Sequence, residues 1–449
     1  MKKLFGTDGI RGKANVYPIT PEVALAVGQA IAKYFLDEKS THRIVIGKDT
    51  RRSSYMIELA IASGICSMGS EAVLLGPMPT PGVAYLTRSM RADAGIMISA
   101  SHNPYYDNGI KFFDKQGYKL SDEVELQIEK MVEDGIPEAE KPVDDKIGRA
   151  FRINGVLGRY VEFVKRSLPK DIRLDGLKVV VDCSNGAAYK IAPIVLWELG
   201  AEVIEYAVQP DGININKDCG ALYPETMSKA VKKFNADIGI GLDGDADRLI
   251  LCDENGEVVD GDYVITLCAQ QLLENKELTN NKVVGTIMTN MGIENYLAKL
   301  GIELSRTKVG DRYVIEEMLK QNAVIGGEPS GHIIFSQFNT TGDGLVSALQ
   351  VLSVMIQKNK KLSELIKGIP LYPQVNKSLR VSDKKPIEEL PELNQAIRDL
   401  NTKLGKKGRS VIRYSGTESV LRMMVEGEDE VLITSEIEKL VQVAEACLC

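Results

Sequence analysis

Two short loops hold most of the residues in this chain that could do chemistry. The stretch SASHNPYYDNGIK (residues 99–111) follows the apolar run AGIMI, leads into IKFF, and gathers Ser101, His102 and Lys111. Only three histidines occur, His42, His102 and His332, so one set beside a serine is a chemical signal. Turn chemistry accounts for Asn103-Pro104 and Asn108-Gly109, which bend the backbone. It does not account for Ser101, His102 or Lys111. The G-x-S-x-G elbow of a hydrolase is absent around Ser101, and so is a Walker loop. A serine that accepts and returns a phosphoryl group needs neither. It needs a nearby cation, basic partners and a proton acceptor. Lys111 and His102 are available for that last role, although neighbours in an extended chain project oppositely, which disfavours His102 as the base for Ser101.

The second loop, GLDGDADR, spaces Asp243, Asp245 and Asp247 at alternate positions. Read as an extended segment, such spacing turns three carboxylates to one side, where they can converge on a cation. Carboxylate oxygens suit Mg²⁺ or Ca²⁺. An EF-hand does not fit, because Arg248 stands where that loop needs glycine and strands flank the segment. Three carboxylates and one divalent cation leave a negative charge. A phosphate on Ser101 could therefore join the cation only if Arg248, Lys111 and Arg11 offset the cluster.

Other loops signal more weakly. GGEPSGH offers Glu328 and Ser330 to the hydroxyls of a polyol. RYSGTE puts Arg413, Ser415, Gly416 and Thr417 in a tight turn suited to an anion, with Arg422 adding charge. TKVGDRY (Gly310, Asp311, Arg312) and KDTRRSS (Arg51, Arg52) are basic turns of little individual meaning. FGTDGIRG adds Thr7, Gly9 and Arg11 as a further anion-contacting turn.

The elements that position these loops repeat three times. Each repeat reads strand, helix, strand, helix, strand, polar loop, returning strand, beginning at HRIVIGKDT, LKVVVDCSN and NKVVGTIMT. The loops at Ser101, Asp243–Asp247 and Glu328–His332 occupy equivalent places after the third strand, where open α/β sheets bind ligands. Beyond about residue 369 the pattern becomes strand, helix, two strands and helix. The predicted fold is three similar mixed-sheet α/β domains (1–152, 153–253 and 254–368) plus a smaller C-terminal α+β domain (369–449). GIPLYPQV would link the last domain as a movable lid.

Composition narrows the function. Of 449 residues, 44% are hydrophobic, and a net charge of −7 with pI near 5.4 argues against nucleic-acid or membrane-surface binding. Seven scattered cysteines without a CxxC pair fit reduced thiols. No run of about 18 apolar residues occurs, and the start lacks an apolar leader. The expectation is a soluble cytoplasmic protein, and an anionic small-molecule substrate would need locally concentrated Arg and Lys.

With SASHNP, DGDADR, GGEPSGH and RYSGTE in order along essentially its whole length, the chain resembles the α-D-phosphohexomutase superfamily. FGTDGIRG and NTTGDGLVSALQ look like its phosphoglucosamine branch. The resemblance implies a heart-shaped, four-domain enzyme with phosphoserine at Ser101. It implies Mg²⁺ on Asp243, Asp245, Asp247 and a serine-phosphate oxygen. Arg11 and Lys111 would be acid/base and electrostatic groups, assisted by His102 and His332. Glu328 and Ser330 would grip sugar hydroxyls, with Arg248 and Gly310–Arg312 nearby, and residues 413–417 and Arg422 would hold the distal phosphate. Glucosamine 6-phosphate would become glucosamine 1-phosphate through glucosamine 1,6-bisphosphate, and a homodimer is the expected assembly. One departure stands out: Pro329 replaces the glutamine usual in that branch, removing a side-chain amide and a backbone donor. Glucose or mannose phosphates are the alternative substrates, and a non-catalytic sugar-phosphate or Ca²⁺-binding protein is the alternative class.

Overall fold

The computed structural model describes residues 4–6, 8–37, 42–415 and 419–448. The chain divides into two compact units, residues 1–284 with 308–367, and residues 285–307 with 368–449. In the first unit the continuous apolar runs become buried central strands, as parallel sheets covered on both faces require.

Its first sheet has six strands in the order Ile10–Lys13, Asp107–Asp114, Ala94–Ile98, Arg43–Lys48, Glu71–Pro77 and Ala150–Arg152. Arg43–Lys48 runs parallel to both neighbours, whereas Asp107–Asp114 returns antiparallel to Ala94–Ile98, pairing Met97 with Lys111. Ile31, Ile44, Ile46, Ile57, Ile61, Ile96 and Ile98 form the adjoining core, each at most 1% exposed. Burying each contributes about 1.5–3 kcal/mol. That core fixes the strand ends between which residues 99–106 must turn.

The second sheet repeats the arrangement. Lys178–Asp182 lies parallel to Glu202–Tyr206 and Ile238–Leu242, and Leu249–Cys252 returns antiparallel to Ile238–Leu242. Asp243–Asp247 fills the gap between the last two. In the third repeat, Lys282–Thr286 pairs in parallel with Ile325–Gly327, and Ile333–Phe335 returns antiparallel. The loop 328–332 occupies the corresponding gap. The threefold pattern read from the sequence is therefore present, with each polar loop at the C-terminal end of a buried strand.

The second unit is built on the antiparallel strands Gln374–Arg380, Val420–Gly427 and Gly408–Tyr414, in that order. The helices Pro391–Leu404 and Glu430–Leu448 bury Leu393, Leu400, Ile433 and Ile437 against the sheet's Leu421 and Val425. Residues 285–307 group with this unit: the Met291 amide donates to Glu426, and Arg409 Nη2 donates to the Thr289 carbonyl. The described cysteines Cys66, Cys183, Cys219, Cys252, Cys268 and Cys447 are all free thiols. Among the described residues, no helix is long and apolar enough to cross a membrane.

Candidate active site

Ser101 is 2% exposed and has left-handed backbone, φ 52°. Its conformation is over-determined by neighbours, as strained functional residues require. The Ser101 amide donates to Ser99 Oγ at 2.9 Å. Its carbonyl accepts from Arg51 Nη2 at 3.1 Å and from Asn216 Nδ2 at 2.9 Å. Both donors also serve the Asn103 carbonyl, so the loop is clamped from two directions. Arg51 is wholly buried and paired with Asp49. The left-handed turn corrects the expectation that His102 projects away from Ser101: His102 Nδ1 lies 3.2 Å from Ser101 Oγ. Burial, then Arg248 and Arg11, press the His102 pKa down to about 4, so the ring is neutral at pH 7.

Replacing Asn216 with glycine tests the clamp cleanly, because Asn216 itself sits at φ 57°, where glycine is unstrained. Asn216→Gly should cost about 1–2 kcal/mol of stability, the value of the lost amide hydrogen bonds. A denaturant melt measures it.

The aspartate loop approaches Ser101 closely, and a Cβ on Gly244 would lie 2.6 Å from the Ser101 carbonyl oxygen. Ser101 Oγ donates to Asp243 Oδ2 at 2.6 Å. The Asp243, Asp245 and Asp247 carboxylates are buried and present oxygens within 4.8 Å of one another. Their convergence does not come from an extended strand. Ala246 is left-handed, φ 56°, and its amide donates to the Asp243 carbonyl, so a tight turn gathers the three. Burial, then Asp247 and Asp245, push the Asp243 pKa up to about 8. For Asp247 burial also raises the pKa, but Lys111, His332 and Arg248 hold it well below the carboxylate range. Asp245 Oδ1 and Asp247 Oδ1 are buried without a hydrogen-bond partner. Orphaned carboxylate oxygens facing like neighbours are what a hard divalent cation would satisfy. The donor set fits a metal ion.

Basic groups surround the triplet. Lys111, 1% exposed, contacts Asp245 at 2.8 Å, Asp247 at 3.2 Å and Asp8 at 3.3 Å. Burial opposes its charge, yet Asp245, Asp247 and Asp8 hold its pKa well above the usual lysine value. Arg11 pairs with Asp8, and the Arg248 amide donates to Asp243 Oδ1. His332 Nδ1 lies 3.7 Å from Asp247 Oδ1, and its Nε2 accepts the Gly342 amide at 3.0 Å. This last contact comes from the NTTGDG segment, whose Asp343 caps the helix Gly344–Lys358.

Glu328 is 8% exposed and Oε1 accepts the Gly310 amide at 3.0 Å, while Ser330 is exposed two residues further on. Asp311 contacts Lys119 and lies 3.4 Å from His332 Nε2. The Arg312 guanidinium is engaged by the Leu120 carbonyl and Asp122. The structure thus brings Ser101, His102, Lys111, Arg11, His332, Arg248, Asp311 and the aspartate triplet into one network. In the second unit Arg413 stands directly opposite Arg422, itself opposite Ser378. With Met288, Asn376 and Lys377 they line a cavity of about 220 Å³. Ser415 is buried, and its carbonyl accepts from Lys384. Thr7, Gly416 and Thr417 lie outside the described residues.

Sequence reasoning missed Asp8, Thr80, Lys119 and Asn216 and gave Arg51 little weight. Thr80 Oγ1 donates to Asp245 Oδ2 at 2.6 Å from the start of the helix Thr80–Ser89. Only Arg51, in a run of two arginines after a strand, offered a local signal.

Family models described as phosphoglucomutase/phosphomannomutase alpha/beta/alpha domains I, II and III match residues 2–138, 158–256 and 260–372. The C-terminal domain of the same family matches residues 377–443. The chain belongs to the phosphoglucomutase/phosphomannomutase family. As a family member it is an intramolecular phosphotransferase of the isomerase class. It is 53% identical over 445 residues to a phosphoglucosamine mutase of Geotalea uraniireducens, covering 99% of this chain and 98% of that protein. A phosphoglucosamine mutase of Mesorhizobium japonicum is 52% identical, with 98% and 97% covered. Among solved structures, a phosphoglucomutase/phosphomannomutase family protein from Burkholderia thailandensis superposes with a TM-score of 0.81 at 23% identity, covering 99% of this chain and 97% of that one. Aspergillus fumigatus N-acetylphosphoglucosamine mutase, solved with GlcNAc-6P and magnesium, gives 0.69 at 18% identity, with 100% and 96% covered. At those identities the likeness concerns the fold of these family members.

Proposed function

We propose that this family member interconverts glucosamine 6-phosphate and glucosamine 1-phosphate through a phosphoserine at Ser101. One observation carries the reading. The Ser101 hydroxyl is held 2.6 Å from Asp243 Oδ2, beside two orphaned carboxylate oxygens of the same loop. A nucleophile there would lie beside a cation held by the triplet, whose carboxylates Lys111 contacts, the combination phosphoryl transfer needs. The name borne by relatives over 50% identical along nearly the full chain supports the amino-sugar substrate.

The residues divide the work. Asp243, Asp245 and Asp247 would hold Mg²⁺, together with an oxygen of the serine phosphate, and its charge would neutralise phosphoryl oxygens. Lys111 and Arg11 add fixed positive charge on the other side. In the forward direction the bond between Ser101 Oγ and phosphorus breaks as phosphorus bonds to the free sugar hydroxyl oxygen. The proton of that hydroxyl ends on Ser101 Oγ. His102, 3.2 Å from Oγ, would carry it, with Lys111 and Arg11 as the other candidates. Glucosamine 1,6-bisphosphate then reorients; the bond between phosphorus and the C6 oxygen breaks as phosphorus bonds to Ser101 Oγ, and the Oγ proton ends on the C6 oxygen, leaving glucosamine 1-phosphate. Glu328 and Ser330 would orient the sugar, with Arg312 near their loop, while Arg413, Ser415 and Arg422 would take the distal phosphate. The four-domain division of the chain and a cytoplasmic setting, in keeping with the free thiols, complete the proposal.

The test is kcat/KM for glucosamine, glucose and mannose 6-phosphates, with Mg²⁺ and a matching bisphosphate primer. The amino sugar should lead by at least about tenfold, the scale at which one well-placed polar contact discriminates. A lead for glucose or mannose phosphate would transfer the assignment to the other branch, with Pro329 as the first residue to revert. Absence of turnover on all three, with no phosphorylated protein, would point to a binding protein.

A further inference from the structure

The roles assigned above leave unused one lysine of this network, Lys119, whose side chain is only 13% exposed. Lys119 reaches the site through a hairpin built on Asp114, whose Oδ1 accepts the amides of Gln116 at 2.8 Å and Tyr118 at 3.0 Å. The turn places Lys119 opposite Phe113 as an antiparallel bridge. Opposed residues share a face, and Phe113 shares its face with Lys111 two positions earlier. Two lysines are thereby brought to one side of the strand, where they would repel. Asp8 lies between them, with Oδ2 3.3 Å from Lys111 Nζ and Oδ1 accepting from Lys119.

Lys119 also binds Asp311, and from there the contacts close on themselves. Asp311 lies 3.4 Å from His332, His332 lies 3.7 Å from Asp247, and Asp247 lies 3.2 Å from Lys111. The ring Lys111–Asp8–Lys119–Asp311–His332–Asp247 joins all three sheet edges of the first unit. Lys119 is its link between the first and third. The loop it grips is the one whose Gly310 amide holds Glu328 at 3.0 Å. A second tie acts on the same hairpin, since Thr340 Oγ1 donates to the Gly117 carbonyl at 2.6 Å.

We infer that Lys119 is a positioning residue: through Asp8 and Asp311 it fixes the loop that orients Glu328 against the strand that carries Lys111. The inference rests on Glu328 holding the sugar, as proposed above. Without the lysine, Asp8 and Asp311 would face each other with no cation between them, and carboxylates so placed repel. The sugar-gripping loop then moves away from the phosphoryl-transferring groups. Sugar phosphates bind more weakly, and the bisphosphate intermediate escapes before it reorients.

Lys119→Met should raise KM for glucosamine 6-phosphate and the bisphosphate concentration giving half-maximal rate by about tenfold each, while saturated kcat falls less than about threefold. The calorimetric Kd for glucosamine 6-phosphate should rise by a similar factor, with Mg²⁺ affinity unchanged. Lys119→Arg, which keeps the charge, should recover most of the loss, and Lys119→Gln replaces the Met variant if that one fails to accumulate. An unchanged KM, Kd and bisphosphate requirement, or a loss confined to kcat or to melting temperature, overturns the inference. The calorimetric comparison reads sugar-phosphate binding whether or not the wild type shows mutase turnover. Failure of the substrate assignment is therefore distinguishable from failure of the positioning role.

Discussion

Ser101→Ala should leave a folded protein whose kcat has fallen by at least about 10³-fold, the scale seen when the group that forms the covalent intermediate is removed. The substitution deletes one oxygen. Ser101 is held by its backbone, through Ser99, Arg51 and Asn216, and none of those contacts uses the hydroxyl that is lost. The hydroxyl's own hydrogen bond to Asp243 contributes about 1–2 kcal/mol, so melting should shift by only a few degrees. A coupled assay alongside a thermal melt separates the two effects. Turnover within about tenfold of wild type would contradict a carrier role for this side chain.

Lys111→Met should instead injure both stability and activity. The ammonium group is buried against Asp245, Asp247 and Asp8, and removing one partner of such a cluster costs about 3–5 kcal/mol because the carboxylates remain without compensation. Lost charge stabilisation should also lower kcat by at least about 10²-fold, as for other groups aimed at developing charge. The two losses are separable by Mg²⁺. A cation bound by the aspartates stabilises the native state by an amount that grows with the logarithm of its concentration relative to Kd, so millimolar Mg²⁺ should restore part of the melting temperature and little of kcat. A variant as stable as wild type without metal would show that the triplet is not the charge-stressed site described here.

The sequence announced these groups because each loop is locally unusual. Three aspartates at alternate positions after an apolar strand, and a serine beside a rare histidine, are visible within a dozen residues. Their partners were not. Asp8 and Lys119, or Lys119 and Asp311, are separated by more than 100 residues, and long-range ion pairs leave no periodic trace along the chain. Arg51 read only as a basic turn of little individual meaning because residue type reports charge and not burial; only the fold surrounds it with Asp49 and the carbonyls of the serine loop. Two geometric inferences failed for one reason. Both loops were read as extended, whereas Ser101 and Ala246 adopt left-handed backbone, which non-glycine residues rarely advertise. The turns moved His102 toward Ser101 and gathered the carboxylates more tightly than strand alternation would. The repeat was legible since its strands are continuous apolar runs, while the grouping of 285–307 with the C-terminal unit depends on tertiary contacts alone.

The carrier role of Ser101 is tested most directly by the mass of the protein itself. The purified enzyme, incubated with glucosamine 1,6-bisphosphate and Mg²⁺ and then digested, should yield a peptide spanning residues 99–111 that carries one phosphoryl group on Ser101, and adding glucosamine 6-phosphate without bisphosphate should discharge it into the sugar pool. A catalytically competent preparation in which that peptide stays unmodified, or in which the phosphoryl group resides elsewhere and never reaches sugar, would contradict the mechanism.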